Sequence, residues 1–207
     1  MPAIPDGTTA PRPSSPPRRP LTDLLASVPG LRPDRAVDGV TVTGCTHDSR
    51  AVQPGDLYAA LPGAQAHGAD FAEAAVAAGA AAVLTDPAGA DRFPGLPVLV
   101  TDDPRSVLGA VACWVHDDPA AELLLLGVTG TNGKTTTAFL MEAGLRGAGR
   151  STALLGTVLT RIGDDAVQAE AEDALTQVER LDRVVARTRE AAGRGWRAPG
   201  PASRCSK

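Results

Sequence analysis

The 207-residue sequence predicts an α/β fold, with helices packed on parallel strands. Two observations lead to this prediction. Between residues 22 and 121, short β-type runs alternate with helical patterns, which is the order expected of parallel strands joined by crossover helices. From residue 123, the apolar run LLLLGV is followed by a glycine-rich turn and a helical pattern, the order of a nucleotide-binding unit.

The N-terminal segment, residues 1–20, contains seven prolines and almost no apolar side chains, so we expect a disordered leader. Thr22 is then the predicted cap of a short helix. That helix is expected to direct three apolar side chains inward, those of Leu24, Leu25 and Val28.

Four strands and two helices are predicted next. VTVT at 40–43 and DLYAAL at 56–61 are predicted strands, and DFAEAAVAAG at 70–79 is a predicted helix that ends at Gly79. AAAVLT at 80–85 and LPVLVT at 96–101 are the next strands. Asp103 and Pro104 then predict a helix start, and the inward side chains of that helix are Val107, Leu108, Val111 and Val115.

A domain boundary is predicted in HDDPAAE, residues 116–122, so the first domain covers 21–121 and a second begins at 122. In the second, the apolar run at 123–128 predicts a buried strand. A helix from Lys134 to about Leu145 and a strand STALLGTV at 151–158 follow. Residues 167–207 form an atypical tail, predicted to be helical near Leu175, Val178, Leu181 and Val185 and then disordered.

Charge and composition limit the function classes. The 20 basic and 24 acidic residues give a net charge of −4, which argues against a general nucleic-acid-binding protein. The three cysteines lack metal-ligand or disulfide spacing. No apolar run is long enough to span a membrane and no secretory signal is present, so the sequence predicts a cytoplasmic protein.

TGTNGKTT, residues 129–136, has the chemistry of a loop that binds a triphosphate. Gly130 and Gly133 allow the backbone to approach an anion, and the N-terminus of the following helix favours negative charge. Lys134 supplies a positive charge for the β and γ phosphates, and the Thr135 hydroxyl is a predicted Mg²⁺ ligand. The general phosphate-loop pattern requires glycine where this chain has Val128. The predicted ATP-binding residues are Gly130, Thr131, Asn132, Gly133, Lys134, Thr135 and Thr136.

This loop resembles that of the Mur ligases, which form peptidoglycan precursors, and that of the related folylpolyglutamate synthetases. The upstream segment THDSRAVQPGDLYAALPGAQAHGADF, residues 46–71, distinguishes between them. It is similar to the first domain of the Mur ligases that add the third residue of the stem peptide. The similarity is carried by Asp48-Ser49-Arg50, Gly55-Asp56-Leu57, Ala60-Leu61-Pro62-Gly63 and Gly68-Ala69-Asp70-Phe71.

The resemblance implies a small Rossmann-like domain for the substrate, followed by the incomplete start of a P-loop ATP-binding domain at 122–166. It implies an ATP- and Mg²⁺-dependent ligase that joins UDP-MurNAc-L-Ala-D-Glu to a diamino acid or lysine through an acyl phosphate. Lys134 and Thr135 would be the catalytic residues. The residues implied to contact the UDP substrate are His47, Ser49, Ala64, Gln65 and Ala66.

Several alternatives remain open at this stage. Asp48 could instead form an Asx-type turn, and Arg50 could form an ion pair with Asp48 or Asp56. We expect His67 and His116 to be surface residues. The alternatives for function are a non-catalytic UDP-sugar or nucleotide-binding module and a stand-alone P-loop NTPase.

The later motifs of the family have no matching positions. Where the family has Thr-Thr-Pro, this chain has Leu175-Thr176-Gln177. The magnesium-binding glutamate, the carbamylated lysine and the C-terminal domain of the family also lack counterparts. We therefore expect a truncated or frame-shifted product that is inactive alone.

Overall fold

The computed structural model describes residues 18–156, 159–162 and 165–168, which fall into two compact units, one ending at Asp118 and one beginning at Pro119. Most of the predicted leader and tail lies outside the described residues, as does the Leu175-Thr176-Gln177 segment. At the end of the predicted leader, Arg19–Pro20 form a short strand, so the prediction of disorder up to residue 20 is wrong there. They are ordered because they pair with Thr41–Val42.

The helices and strands of the first unit are β1 (Arg19–Pro20), α1 (Leu21–Ser27), β2 (Arg32–Pro33), β3 (Thr41–Val42), β4 (Gly44–Thr46), β5 (Asp56–Ala60), α2 (Ala72–Ala77), β6 (Ala82–Thr85), β7 (Val98–Val100) and α3 (Pro104–Val115). Five of the strands form a sheet of order β2-β7-β6-β5-β4, and β1 and β3 form a separate two-stranded sheet. Strands β4 to β7 are parallel to one another, and β2 pairs antiparallel at the edge. The predicted α/β class with a parallel, Rossmann-like sheet is confirmed.

Both faces of this sheet are buried. One face contributes to a core cluster made of Val52, Tyr58, Ala60, Ala69, Ala72, Ala75, Ala80, Val83, Phe93 and Val98. Leu57, Leu84 and Leu99 alternate with cluster members along their strands and so point to the opposite face, where they are fully buried. This is why β5, β6 and β7 carry apolar side chains at consecutive positions rather than only at every second one.

Helix α3 begins as its sequence predicts. The Asp103 carboxylate accepts hydrogen bonds from the backbone N–H groups of Arg105 and Ser106 at 3.1 and 3.2 Å, and Pro104 occupies the first turn. Leu108, Val111 and Val115 are buried, and Val107 is half-buried.

Helix α1 begins two residues earlier than its predicted cap implies. Pro20 occupies the N-cap, the helix starts at Leu21, and Thr22 makes no capping hydrogen bond, so its prediction as the cap is wrong. The Leu21 N–H donates to the Val40 carbonyl at 2.8 Å, which fixes the first turn against the segment leading to β3. Leu24 and Val28 are buried and Leu25 is half-buried.

The second unit contains α4 (Lys134–Gly147) and an antiparallel sheet of β8 (Ala153–Leu155), β9 (Leu159–Ile162) and β10 (Asp165–Gln168). The predicted strand at 151–158 is thus shorter, and it pairs antiparallel rather than parallel. The strand predicted at 123–128 is wrong, because these residues are irregular. Leu124, Leu125 and Leu126 are more than half exposed. Among the described residues no strand pairs with them, so their backbone groups form no inter-strand hydrogen bonds there.

Helices that could cross a membrane were sought over the described residues, and none combines the necessary length and apolar character.

Candidate functional site

The predicted substrate residues of the first unit lie at one edge of its sheet, which we call the carboxyl edge. There the parallel strands β4, β5, β6 and β7 end, at Thr46, Ala60, Thr85 and Val100. His47 and Ser49 follow β4, and Ala64, Gln65 and Ala66 follow β5. Ligands of open parallel sheets bind outside the carboxyl ends of the strands. The two groups of predicted residues therefore share the edge at which a ligand is expected.

The loop after β4 is fixed by Asp48. Its carboxylate accepts a hydrogen bond from the Arg50 backbone N–H at 3.0 Å and two from the Arg50 guanidinium at 2.9 and 2.8 Å. The Arg50 hydrogen bond holds the pKa of Asp48 below its ordinary value. The buried carboxylate of Asp56 accepts a hydrogen bond from the Gln53 N–H at 2.7 Å. The structure thus supports the structural alternative for both Asp48 and Arg50.

Ser49 starts the 3-10 turn Ser49–Ala51 and is half-buried, while His47 is exposed. Burial raises the pKa of the Tyr58 phenol, the charge of Asp48 raises it further, and the Ser49 side chain lowers it. The Tyr58 hydroxyl also donates to the Gly68 carbonyl at 2.9 Å. Tyr58 therefore lies between the loop after β4 and the loop after β5.

Residues 62–67, which we call the Gln65 loop, project from the end of β5. An antiparallel bridge between Pro62 and His67 closes the loop, and the Gly68 N–H donates to the Leu61 carbonyl at 2.8 Å. At its tip, Ala64, Gln65 and Ala66 are exposed. Within the described part of the chain the Gln65 amide has no hydrogen-bond partner, so both its donor and its acceptor are available to a ligand.

Two histidines were expected at the surface, and this expectation is wrong for His116, whereas His67 is partly exposed. His67 is half-buried, and both its ring nitrogens make hydrogen bonds within the protein. His116 is 8% exposed at the C-terminal end of α3. A polar side chain is buried where hydrogen bonds replace those it loses with water. For His67 the partners are the Ala69 N–H, which precedes β6 in the sequence, and the Asp86 carboxylate, which directly follows β6.

The predicted phosphate loop has the backbone that its glycines allow. Gly130 has φ of 147° and Gly133 has φ of 78°, values that residues with a side chain rarely adopt. Gly133 is the N-cap of α4, and the first hydrogen bond there runs from the Thr137 N–H to the Gly133 carbonyl at 2.9 Å. The N–H groups of Lys134, Thr135 and Thr136 thus lie in the first turn, where the helix itself offers no acceptors.

The side chains of this loop are accessible to a ligand. Lys134 donates from Nζ to the Gly130 carbonyl at 2.5 Å, so its ammonium group lies over the loop. Thr131, Asn132, Thr135 and Thr136 are all exposed. Amide donors, a lysine ammonium and a first-turn threonine hydroxyl are the groups that a magnesium-bound triphosphate requires, so the residues present fit Mg²⁺ and ATP.

Sequence reasoning missed Tyr58, His67 and Asp86, whose side chains hold the carboxyl-edge loops. One local signal was available, because His67 and Asp70 are spaced as a capping box and form one around the 3-10 turn Gly68–Phe71. The contact between His67 and Asp86 spans 19 residues and has no such local signal.

Comparison with known proteins gives two matches to one family. Residues 41–132 match "Mur ligase family, catalytic domain", and residues 128–192 match "Mur ligase middle domain". The second match continues past residue 166, where the second predicted domain ends.

Individual relatives agree with this result. The chain is 55% identical over 162 residues to UDP-N-acetylmuramoyl-L-alanyl-D-glutamate--2,6-diaminopimelate ligase of Streptomyces avermitilis, over 77% of this chain and 31% of that protein. It is 46% identical to UDP-N-acetylmuramyl-tripeptide synthetase of Leifsonia xyli subsp. xyli, over 86% of this chain and 35% of that protein. The chain thus spans about a third of the length of these curated relatives.

A solved structure of a UDP-N-acetylmuramoyl-L-alanyl-D-glutamate--2,6-diaminopimelate ligase superposes with a TM-score of 0.57 at 26% identity. The superposition covers 74% of this chain and 31% of that one.

Proposed function

Because the chain belongs to the Mur ligase family, we propose that it is the UDP-substrate-binding and ATP-binding part of an ATP-dependent ligase. The ligase would add the third residue of the stem peptide to UDP-MurNAc-L-Ala-D-Glu. The observation that carries the proposal is that one chain combines a carboxyl edge with an exposed Gln65 loop and, further on, a glycine-rich loop at a helix N-terminus.

We propose that residues 21–121 bind the UDP substrate and that residues 122–166 begin the ATP-binding domain. The division of the structure between Asp118 and Pro119 supports a boundary in this region. In the first domain, the Gln65 amide, the Ser49 hydroxyl and His47 would contact the uracil, ribose or diphosphate, with Ala64 and Ala66 lining the same loop. The positions of these residues support the proposal, because the two loops follow β4 and β5, which pair side by side in the sheet.

In the second domain, Lys134 and the N–H groups of the first turn of α4 would hold the triphosphate. The Lys134 ammonium would exchange the Gly130 carbonyl for a phosphate oxygen, and the Thr135 hydroxyl would hold Mg²⁺. Magnesium-bound ATP, when present, supplies the phosphoryl group that activates the D-glutamyl carboxylate. The contribution of this chain is to position that group and to neutralise its charge.

We propose 2,6-diaminopimelate as the incoming amine of the complete ligase. The names of the Streptomyces avermitilis protein and of the superposed structure support this choice over lysine.

Calorimetric titration of the full chain tests the proposal, with UDP-MurNAc-L-Ala-D-Glu in one experiment and a non-hydrolysable ATP analogue with Mg²⁺ in another. We expect the wild-type chain to bind both ligands. Gln65→Ala should weaken binding of the UDP ligand roughly three- to tenfold, the value of about one hydrogen bond, and leave the ATP analogue unaffected.

Gln53→Ala is the matched control, because Gln53 precedes β5 and so lies toward the opposite end of that strand. It should bind the UDP ligand as the wild type does. Equal losses in the two glutamine variants, or no binding of the UDP ligand by the wild type, would contradict the proposal.

A further inference from the structure

We infer that His67 is a positioning residue that holds the Gln65 loop on the carboxyl edge through Asp86, so that affinity for the UDP ligand depends on a side chain that does not contact it. The inference rests on the proposed function, because it assigns the loop to a UDP ligand. Neither His67, which the sequence predicts at the surface, nor its partner Asp86 is among the predicted site residues.

The ring of His67 bridges two segments of the chain. Nδ1 accepts a hydrogen bond from the Ala69 N–H at 3.0 Å, and Nε2 lies 3.0 Å from Oδ1 of Asp86. A ring nitrogen that accepts an N–H carries no hydrogen of its own, so the proton of the neutral ring is on Nε2. Nε2–H therefore donates to Asp86, and the two contacts require a single tautomer.

The backbone of His67 is fixed as well as its ring. Its N–H donates to Oδ2 of Asp70 at 2.9 Å, which completes a reciprocal cap of the 3-10 turn. Asp70 in turn forms an ion pair with Arg92. His67 is also the residue that closes the Gln65 loop against Pro62. The base of the loop is thus held at one residue by backbone and side chain together.

The carboxylate of Asp86 is itself held in place by a second hydrogen bond. Asp86 directly follows β6, and its Oδ1 also accepts the Gly89 N–H at 3.0 Å. A Cβ at Gly89 would lie 2.9 Å from Cε1 of His67 and 2.4 Å from Oγ1 of Thr85. The imidazole therefore occupies space that only glycine leaves open.

The remaining contacts of the loop are weaker or lie outside it. Arg105 at the start of α3 reaches the Pro62 carbonyl at 3.4 Å from an exposed position. The loop tip, which includes Gln65, is exposed. If the His67–Asp86 contact is removed, the loop remains attached to β5 but its tip is no longer fixed relative to β6. A ligand then has to order the loop tip when it binds, and the free energy of this ordering weakens its affinity.

The test is the affinity of full-chain variants for UDP-MurNAc-L-Ala-D-Glu and, separately, for the Mg²⁺-bound ATP analogue. We expect His67→Ala and Asp86→Ala each to weaken binding of the UDP ligand roughly threefold to tenfold. The affinity for the ATP analogue should stay within about twofold of the wild-type value. His67→Asn should be intermediate, because asparagine is a good cap for the 3-10 turn but is too short to reach Asp86.

Two double variants separate positioning from general destabilisation. The losses of His67→Ala and Asp86→Ala should be less than additive in the double variant, since each single variant already removes the His67–Asp86 contact. His67→Ala combined with Gln65→Ala should also be non-additive, because His67 acts through the loop that presents Gln65. A merely structural role would give additive losses and would lower the thermal midpoint of all variants in proportion to affinity.

The inference is overturned if His67→Ala binds the UDP ligand as the wild type does, or if its effect adds fully to that of Gln65→Ala. Should His67→Ala fail to fold, Asp86→Ala and His67→Asn decide the same question. Failure of the proposed function gives a different result, in which the wild-type chain itself does not bind the UDP ligand although it binds the ATP analogue.

Discussion

At the scale of single residues, Asp48 connects pH to the order of the loop after β4. Its pKa is depressed by the hydrogen bond from Arg50. A carboxyl whose pKa is lower in the folded chain stabilises the fold above its unfolded pKa and loses that effect as pH falls through the folded value. We expect Asp48→Asn to be less stable than the wild type at pH 7, with a difference that shrinks below about pH 4.

Urea denaturation of the two chains at pH 7 and pH 3 measures this difference. Arg50→Gln should reproduce the loss at pH 7, because it removes the donor that depresses the pKa of Asp48. A difference between wild type and Asp48→Asn that stays constant from pH 7 to pH 3 would contradict the assignment.

Lys134 provides the second residue-scale prediction. Its ammonium lies over the phosphate loop and is the charge we assign to the triphosphate. Removal of a charge-assisted hydrogen bond costs about 1.5–3 kcal/mol, so Lys134→Ala should weaken binding of the Mg²⁺-bound ATP analogue at least about tenfold. Affinity for the UDP ligand should not change.

Calorimetry with each ligand checks this expectation, with Arg150→Ala as the control. Arg150 is an exposed cation just beyond the far end of α4. If Arg150→Ala weakened binding of the ATP analogue as much as Lys134→Ala does, the effect would come from net charge and the site assignment would be wrong.

Residue roles divide into those that local sequence can predict and those it cannot. The cap at Asp103 and the glycines at 130 and 133 were predictable because each depends on neighbours within a few positions. The environment of His67 was not, since its partner Asp86 is 19 positions away and is brought close by the pairing of β5 with β6. A histidine in a polar loop looks exposed until that pairing is known.

At the scale of elements, α3 shows how one capping residue determines a helix start. We expect Asp103→Ala to lower the free energy of unfolding by about 1 kcal/mol, because the N–H groups of Arg105 and Ser106 lose their acceptor. Asp102→Ala is the matched control. It removes the adjacent carboxylate, whose ion pair with Arg32 is exposed, and should cost less than about 0.5 kcal/mol.

Chemical denaturation of the two aspartate variants provides the comparison. Equal losses would show that general surface charge, rather than the cap, sets the stability of α3. The carboxyl edge includes the start of this helix, so the same variants also show whether loop order there depends on α3.

Elements were predictable where they carry their own pattern and have partners nearby. β5, β6 and β7 are short, largely apolar runs bounded by turns, and β5 pairs with β6 and β6 with β7, its successor in the sequence. The run at 123–128 has the same apolar character, yet it is not a strand. Hydrophobicity indicates that a segment favours burial, but a strand also requires a neighbouring backbone, and none of the described residues supplies one.

At the scale of the whole molecule, the two units differ in how much they bury. Nearly all the buried apolar side chains of the described residues belong to the first unit, whereas in the second Leu154 is the buried one. Glu142 is also buried there, beside Arg161 at 3.2 Å. Since apolar burial is the main stabilising contribution, we expect the first unit to hold most of the chain's resistance to unfolding.

Hydrogen exchange of the full chain tests this asymmetry. Amides of β5 and β6 lie in a sheet buried on both faces and should exchange by global unfolding, at least about a hundredfold more slowly than amides of β8 and β9. Addition of the ATP analogue should slow exchange in α4 without changing β5, because a ligand protects the segment to which it binds. Uniform protection across both units would mean that stability is shared rather than concentrated in the first sheet. The loops assigned to the UDP ligand would then not depend on that sheet alone for their order.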